Sequence, residues 1–120
     1  MIEITLPFPP STNTYWRHLS KGKLAGRTLI SEKGREYRRL VTQLVAAEPR
    51  GQMTGRLAVH IDAYPPDRRR RDLDNLLKSL QDSMQHAGLY ADDSQIDDLR
   101  IRRCPVGSFG RVVVRLSEIA

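Results

Sequence analysis

Pro66-Asp67-Arg68-Arg69-Arg70-Arg71-Asp72-Leu73-Asp74-Asn75-Leu76-Leu77-Lys78 is the stretch around which the chain is organised. Four arginines stand directly before two aspartates spaced i,i+2, and a lysine follows the second aspartate at i+4. Cations beside convergent carboxylates suit a site that must hold both a phosphate backbone and a metal ion. The plainer reading is a solvated basic turn leading into a helix capped by Asp72, since aspartate is a favoured N-cap. A second acidic stretch, Asp92-Asp93, and the charge of the whole chain favour the site.

The apolar periodicity on either side sets the fold. After the motif, Leu73, Leu76, Leu77, Leu80, Met84 and Ala87 recur at helical spacing, and Gly88 ends the helix. Before it, Leu57, Val59, Ile61 and Ala63 alternate, which predicts a strand from about Thr54 to Tyr64, stopped by Pro65-Pro66. Further upstream, Ser31 is an N-cap for a helix from about Glu32 to Ala47, with Tyr37, Leu40, Val41, Leu44 and Val45 on its apolar stripe. Arg35, Arg38 and Arg39 lie off that stripe and read as a solvated face. Ile2, Ile4 and Leu6 form one side of a first strand ended by prolines. Ser11 to Leu29 reads as a long loop carrying Asn13, Tyr15, Trp16 and Arg17, whose aromatics among basic residues either contact nucleic acid or anchor the loop to the core. Downstream, Leu99 and Ile101 alternate with charged residues in a third strand reaching Cys104. Pro105 to Gly110 reads as a hairpin loop into a last strand carrying Val112, Val114 and Leu116. The expectation is an α/β fold: one domain over residues 1–120, a mixed sheet of about four strands with two main helices, and an antiparallel final pair.

The totals narrow the partner. A net charge of +6 and a pI near 10.0 favour a polyanion, nucleic acid before membrane. No apolar run has the length of a spanning helix, and the alternating start is not a signal peptide. A single cysteine, Cys104, excludes an internal disulfide, and His18, His60 and His86 lack zinc-ligand spacing. These features indicate a reducing, intracellular, cytoplasmic location.

The chemistry follows by elimination. Within a regular helix, residues two apart point roughly 200° away from each other. Asp72 and Asp74 can share an ion only if Asp72 is still extended while Asp74 has entered the first turn. Asp92 and Asp93 lie beyond the far end of the same helix, so Leu89-Tyr90-Ala91 must lead the chain back for them to join. Carboxylates without histidine or thiol partners suit magnesium or manganese rather than zinc. An EF-hand is excluded, because Leu77 and Ser83 stand where its glycine and glutamate are needed. No phosphate-binding Gly-x4-Gly-Lys loop is present. Metal-assisted phosphodiester hydrolysis remains, with Lys78 stabilising negative charge or, more plainly, pairing on the surface with Asp74 or Asp82.

The run Asp67 to Leu76, with Lys78 and Asp92-Asp93, resembles the RusA family of Holliday-junction resolvases, often carried by phages and prophages. Pro9-Pro10-Ser11-Thr12-Asn13 resembles that family's opening, and Gly110-Arg111 into Val112 fits its end. The resemblance implies a homodimeric, magnesium-dependent crossover junction endodeoxyribonuclease of DNA recombination and repair, cutting four-way junction DNA by paired symmetric nicks, with manganese as a substitute metal. It carries catalytic and metal-binding roles to Asp72, Asp74 and Asp93, and a functional lysine to Lys78. Arg68, Arg69, Arg70, Arg71, Asn13 and Arg17 are the expected DNA contacts. Ala91, where a larger apolar residue is expected, and the loop Ser20 to Leu29 depart from the pattern. The alternatives are a non-catalytic basic nucleic-acid-binding protein and a nuclease acting on flaps or linear duplex.

Overall fold

The computed structural model describes residues 1–23, 25–49 and 51–119. The strands are β1 (Ile2–Pro7), β2 (Trp16–His18), β3 (Thr28–Ile30), β4 (Leu57–Tyr64), β5 (Ile96–Arg103) and β6 (Arg111–Glu118). The helices are α1 (Thr12–Tyr15), α2 (Glu32–Ala46) and α3 (Asp74–His86). Alternation puts Ile2, Ile4 and Leu6 of β1, Leu57, Val59 and Ile61 of β4, and Val112, Val114 and Leu116 of β6 into one core. Tyr37, Val41 and Val45 of α2 and Leu76, Leu80 and Met84 of α3 close that core. The mixed four-stranded sheet and the α/β architecture therefore agree with the sequence reading. No helix among the described residues is long and apolar enough to cross a membrane.

The strand order is β1-β6-β4-β5, and it corrects one expectation. The last two strands do not form a hairpin: β4 lies between them, antiparallel to β6 and parallel to β5. The inward residues of β4, from Leu57 to Ala63, are almost wholly buried, and such a strand takes the centre of a sheet. The charged β5 takes the edge, where Leu99 is left 39% exposed. Parallel pairing of β4 and β5 needs a crossover, and α3 supplies it. The basic run and the acidic pair thus occupy the connection that leaves the C-terminal end of the central strand, a place where α/β folds gather functional groups.

The segment Ser11 to Leu29 is also not a plain loop. Ser11 accepts from the Thr14 N–H and starts α1, and β2 pairs antiparallel with β3. Tyr15 is fully buried and meets Trp16 edge-on at 5.0 Å, so this pair anchors the segment to the core. Ser31 caps α2 as expected, accepting from the Gly34 N–H at 3.0 Å. A side chain at Gly34 would come within 2.5 Å of the Tyr15 carbonyl, so glycine here lets α2 pack directly against that backbone.

Arg38 is the second correction. It is not on a solvated face but bonds Asp82 at 2.6 Å and the Tyr15 hydroxyl at 2.8 Å, with both charged side chains only 24% exposed. The Tyr15 hydroxyl donates in turn to Asp82. Burial and the neighbouring carboxylate push the Tyr15 phenol up to about 12. This triad ties α2 to α3 and to the end of α1.

On the sheet face opposite the core, Asp62 of β4 is buried beneath Arg102 at 2.6 Å and Arg115 at 3.0 Å. Arg102 above all holds its carboxyl below the ordinary 3.8, burial works against that, and Arg115 adds to the lowering. A depressed folded value contributes stability that is present above pH 3.8 and is lost as pH falls through the lower folded value. Asp62→Asn is expected to lower stability by about 1–2 kcal/mol at neutral pH, given the exposed arginine ends. That difference should close on acidification, which denaturant melts from pH 7 to pH 2 would check.

Candidate active site

Asp72 does not cap α3. The N-cap is Leu73, with helical backbone angles and no side-chain capping bond. Asp72 instead ends the incoming turn, its carbonyl accepting from the Asn75 N–H at 3.1 Å, and Asp74 is the first residue of the helix. Asp72, Asp74 and Lys78 are all exposed. None of the three has an ion-pair partner among the described residues. Asp82, one possible partner for Lys78, is committed to Arg38 and Tyr15. Lys78 lies one turn along α3 from Asp74, on the same face. Asp74 and Lys78 thus share one face of α3, Asp72 stands two residues before Asp74, and no ion pair among the described residues occupies any of the three.

The proline-rich segment after β1 is clamped onto the start of α3. The Thr12 hydroxyl donates to the Asn75 carbonyl at 3.0 Å, and the Ser79 hydroxyl donates to the Pro10 carbonyl at 2.6 Å. Between this segment and the motif lies a cleft of about 610 Å³, whose lining includes Pro10, Ser11, Thr14, Arg70, Asp72 and Asn75. Asn13, in α1, and Arg17, in β2, are exposed on the same segment. Sequence reasoning missed this clamp. Its one signal is Ser79, a buried polar residue within the apolar stripe of α3.

The four arginines are not equivalent. Asp67 folds back to accept from the Arg69 N–H at 2.9 Å and pairs with Arg71 at 2.7 Å. Arg71, and after it the Arg69 N–H, holds the Asp67 carboxyl below its usual range. Arg71 also lies over the Phe8 ring at 5.4 Å, and its carbonyl accepts from Arg103 at 2.8 Å. Arg71 therefore buttresses the turn. Arg68 and Arg70 are exposed and have no acidic partner among the described residues, while Arg69 reaches Asp67 only at 3.8 Å.

Asp93 stands elsewhere. The chain reverses at Gly88, whose φ is 89°, and Tyr90 tucks against α3. The Tyr90 hydroxyl donates to the Gln81 carbonyl at 2.9 Å and to the Asp93 carboxylate at 2.7 Å. Burial foremost, then that bond to Asp93, pushes the Tyr90 phenol far above its ordinary 10.0. The Asp93 N–H donates to the Gln85 side chain at 3.0 Å. Asp93 is thereby held level with the second half of α3, and Gln85 lies roughly 16 Å along the helix from Asp74. The return expected of Leu89-Tyr90-Ala91 is only partial. The Asp92 side chain serves the backbone, accepting from the Ser94 N–H at 2.8 Å in a capping box with Gln95. Among the described residues, no three acidic, histidine or cysteine side chains of one chain are grouped to hold a metal ion.

A family described as Endodeoxyribonuclease RusA matches residues 7–117, a span running from the end of β1 through α3 to the last strand. The chain belongs to the RusA family. Among curated RusA relatives, a crossover junction endodeoxyribonuclease of Enterobacteria phage HK97 is 42% identical over 118 residues, covering 98% of this chain and 94% of the relative. Those of Shigella sonnei strain Ss046 and Escherichia coli strain K12 are 41% and 39% identical, each over 97% of this chain and 93% of the relative. Against the metal that RusA membership implies, the donor set of one chain supplies two uncommitted carboxylates, Asp72 and Asp74. Magnesium is commonly held by one or two carboxylates together with water and substrate phosphate oxygens, so this pair fits.

Proposed function

We propose that the chain is a metal-dependent crossover junction endodeoxyribonuclease that nicks four-way DNA junctions in recombination and repair, acting in the cytoplasm. The observation that carries this reading is the exposed pair Asp72 and Asp74, free of structural partners among the described residues, between a basic turn and a clamped proline-rich segment. Asp72 and Asp74 would hold magnesium or manganese. The bound ion supplies a water of lowered pKa and polarises the scissile phosphate. Arg68 and Arg70, with Arg69 beside them, engage flanking phosphates, while Asn13 and Arg17 touch the backbone across the cleft. Lys78 directs its ammonium at the charge that builds on the phosphate.

The working unit in this reading is a two-fold dimer whose two chains complete each other's sites. Asp74, Lys78, Gln81 and Gln85 fall at i, i+4, i+7 and i+11, one stripe of α3, and Asp93 is held beside the end of that stripe by Gln85. A two-fold axis crossing the middle of the stripe sets two copies of α3 antiparallel. It carries the Asp72–Asp74 end of each toward the other's Asp93. Two sites then face two strands, as resolution of a junction by paired nicks requires, and two-fold dimers are the commonest oligomer. Such a dimer carries a charge of +12, twice the +6 of one chain.

Binding of labelled four-way junction and of linear duplex of the same sequence, first in calcium and then with magnesium added, tests the function. The expected result is preference for the junction, affinity that falls steeply with salt, and paired nicks only after magnesium. Binding without cleavage in any divalent cation would leave a non-catalytic DNA-binding protein. Equal binding and cutting of duplex would leave a nuclease of another substrate class.

A further inference from the structure

Phe109, at the tip of the loop between β5 and β6, is 96% exposed. It is also the one non-glycine among the described residues at positive φ, 68°. A bulky side chain in that conformation is unfavourable, and glycine would relieve it. The ring therefore stands in solvent at two costs, lost burial and backbone strain. Val106 of the same loop is 48% exposed, so the tip is apolar.

The foot of the loop is rigid and adjoins the basic turn. The Gly107 N–H donates to the Pro65 carbonyl at 2.9 Å, and the Gly110 N–H to the Gly107 carbonyl at 3.1 Å. A side chain at Gly110 would meet Pro66 at 2.9 Å and Phe8 at 3.0 Å, so the backbone is pressed onto both. Phe8 is the ring that carries Arg71, and it lines the cleft that holds Asp72. Arg111, at the other end of the loop, lies over Tyr64 at 4.0 Å. An apolar ring is thus held on a short stiff arm, rooted among arginines, its foot packed on the Phe8 that lines the cleft with Asp72. Positive groups bring a polyanion to this rim, and bases are what a ring there can meet.

We infer that Phe109 stacks on an opened base step at the crossover point and helps the protein select the junction over the duplex. This rests on the junction-nuclease reading above. Apolar side chains inserted between base steps unstack them, and that cost is smallest where stacking is already interrupted, as at a four-way exchange point. In continuous duplex the ring finds no open step and adds little.

The test uses the full chain, a synthetic four-way junction carrying 2-aminopurine beside the crossover, and calcium to permit binding without turnover. Wild type is expected to raise the 2-aminopurine emission on binding. Phe109→Gly, which removes the ring and suits the backbone, should lose that rise and bind the junction about tenfold more weakly, the scale of one lost base–aromatic stack, with duplex affinity unchanged. Phe109→Trp should restore both signals. A junction-selective wild type matched by Phe109→Gly in emission and affinity overturns the assignment of Phe109 alone. So does a Phe109→Gly protein that sediments as a smaller species than wild type, because the ring would then serve contact between chains. A wild type that binds junction and duplex alike overturns the functional reading instead.

Discussion

Asp74→Asn is expected to reduce junction cleavage in magnesium by more than about a hundredfold while leaving junction affinity in calcium within a few-fold of wild type. Asp72→Asn should behave alike. Each substitution removes one negative charge from the pair that would hold the ion and changes side-chain volume little. Loss of mere supporting partners of metal ligands commonly lowers affinity or activity by about 10- to 100-fold, so loss of a direct ligand should exceed that. DNA affinity should survive if, as proposed, phosphate neutralisation rests on Arg68, Arg70 and their neighbours. The fold should survive too, since neither carboxylate caps α3 or joins an ion pair among the described residues. Single-turnover cleavage with parallel binding isotherms checks this. Wild-type turnover by either variant would remove that residue from the site.

Lys78→Ala is the second large effect. If the ammonium stabilises charge developing on the phosphate, its loss should slow the cleavage step by about 10²–10³-fold, as loss of a charge-stabilising donor typically does. Stability should barely change, because Lys78 is exposed and Asp82 is already held by Arg38 and Tyr15. A role limited to a surface ion pair with Asp74 predicts the reverse, a cost of about 0.3–0.5 kcal/mol with activity intact. Measuring the melting temperature and the single-turnover rate on one preparation separates the two. The metal dependence of the remaining rate should be unchanged, since an ammonium has no lone pair to offer a cation.

The motif and the elements around it were legible because their signals are local. Alternation fixed which residues of β1, β4 and β6 face the core, and Ser31 marked the start of α2. Strand neighbours were not legible. Pro105 to Gly110 has the composition of a hairpin loop, yet burial of β4 on the core face decides that β4 separates β5 from β6. Arg38 has the period of a surface residue, and only the packing of α2 on α3 brings it to Asp82. The segment before α2 read as a loop because β2 and β3 have three residues each, too few to show a period. At the site, the sequence marked the acidic pair but not its freedom from capping, which depends on where the helix begins. Asp93 carried the least local information: its place is set by the reversal at Gly88 and by Tyr90 reaching Gln81.

Subunit mixing tests most directly whether two chains together make each site. Asp74→Asn and Asp93→Asn proteins, each inactive alone, would be mixed under conditions that allow exchange and then given a junction and magnesium. If Asp72 and Asp74 of one chain work with Asp93 of its partner, a mixed dimer gathers both lesions into one site and leaves the other wholly wild type. Single-strand nicking is then expected to return on mixing. Persistent inactivity of the mixture, with exchange verified by differently tagged chains, would contradict a site shared between two chains.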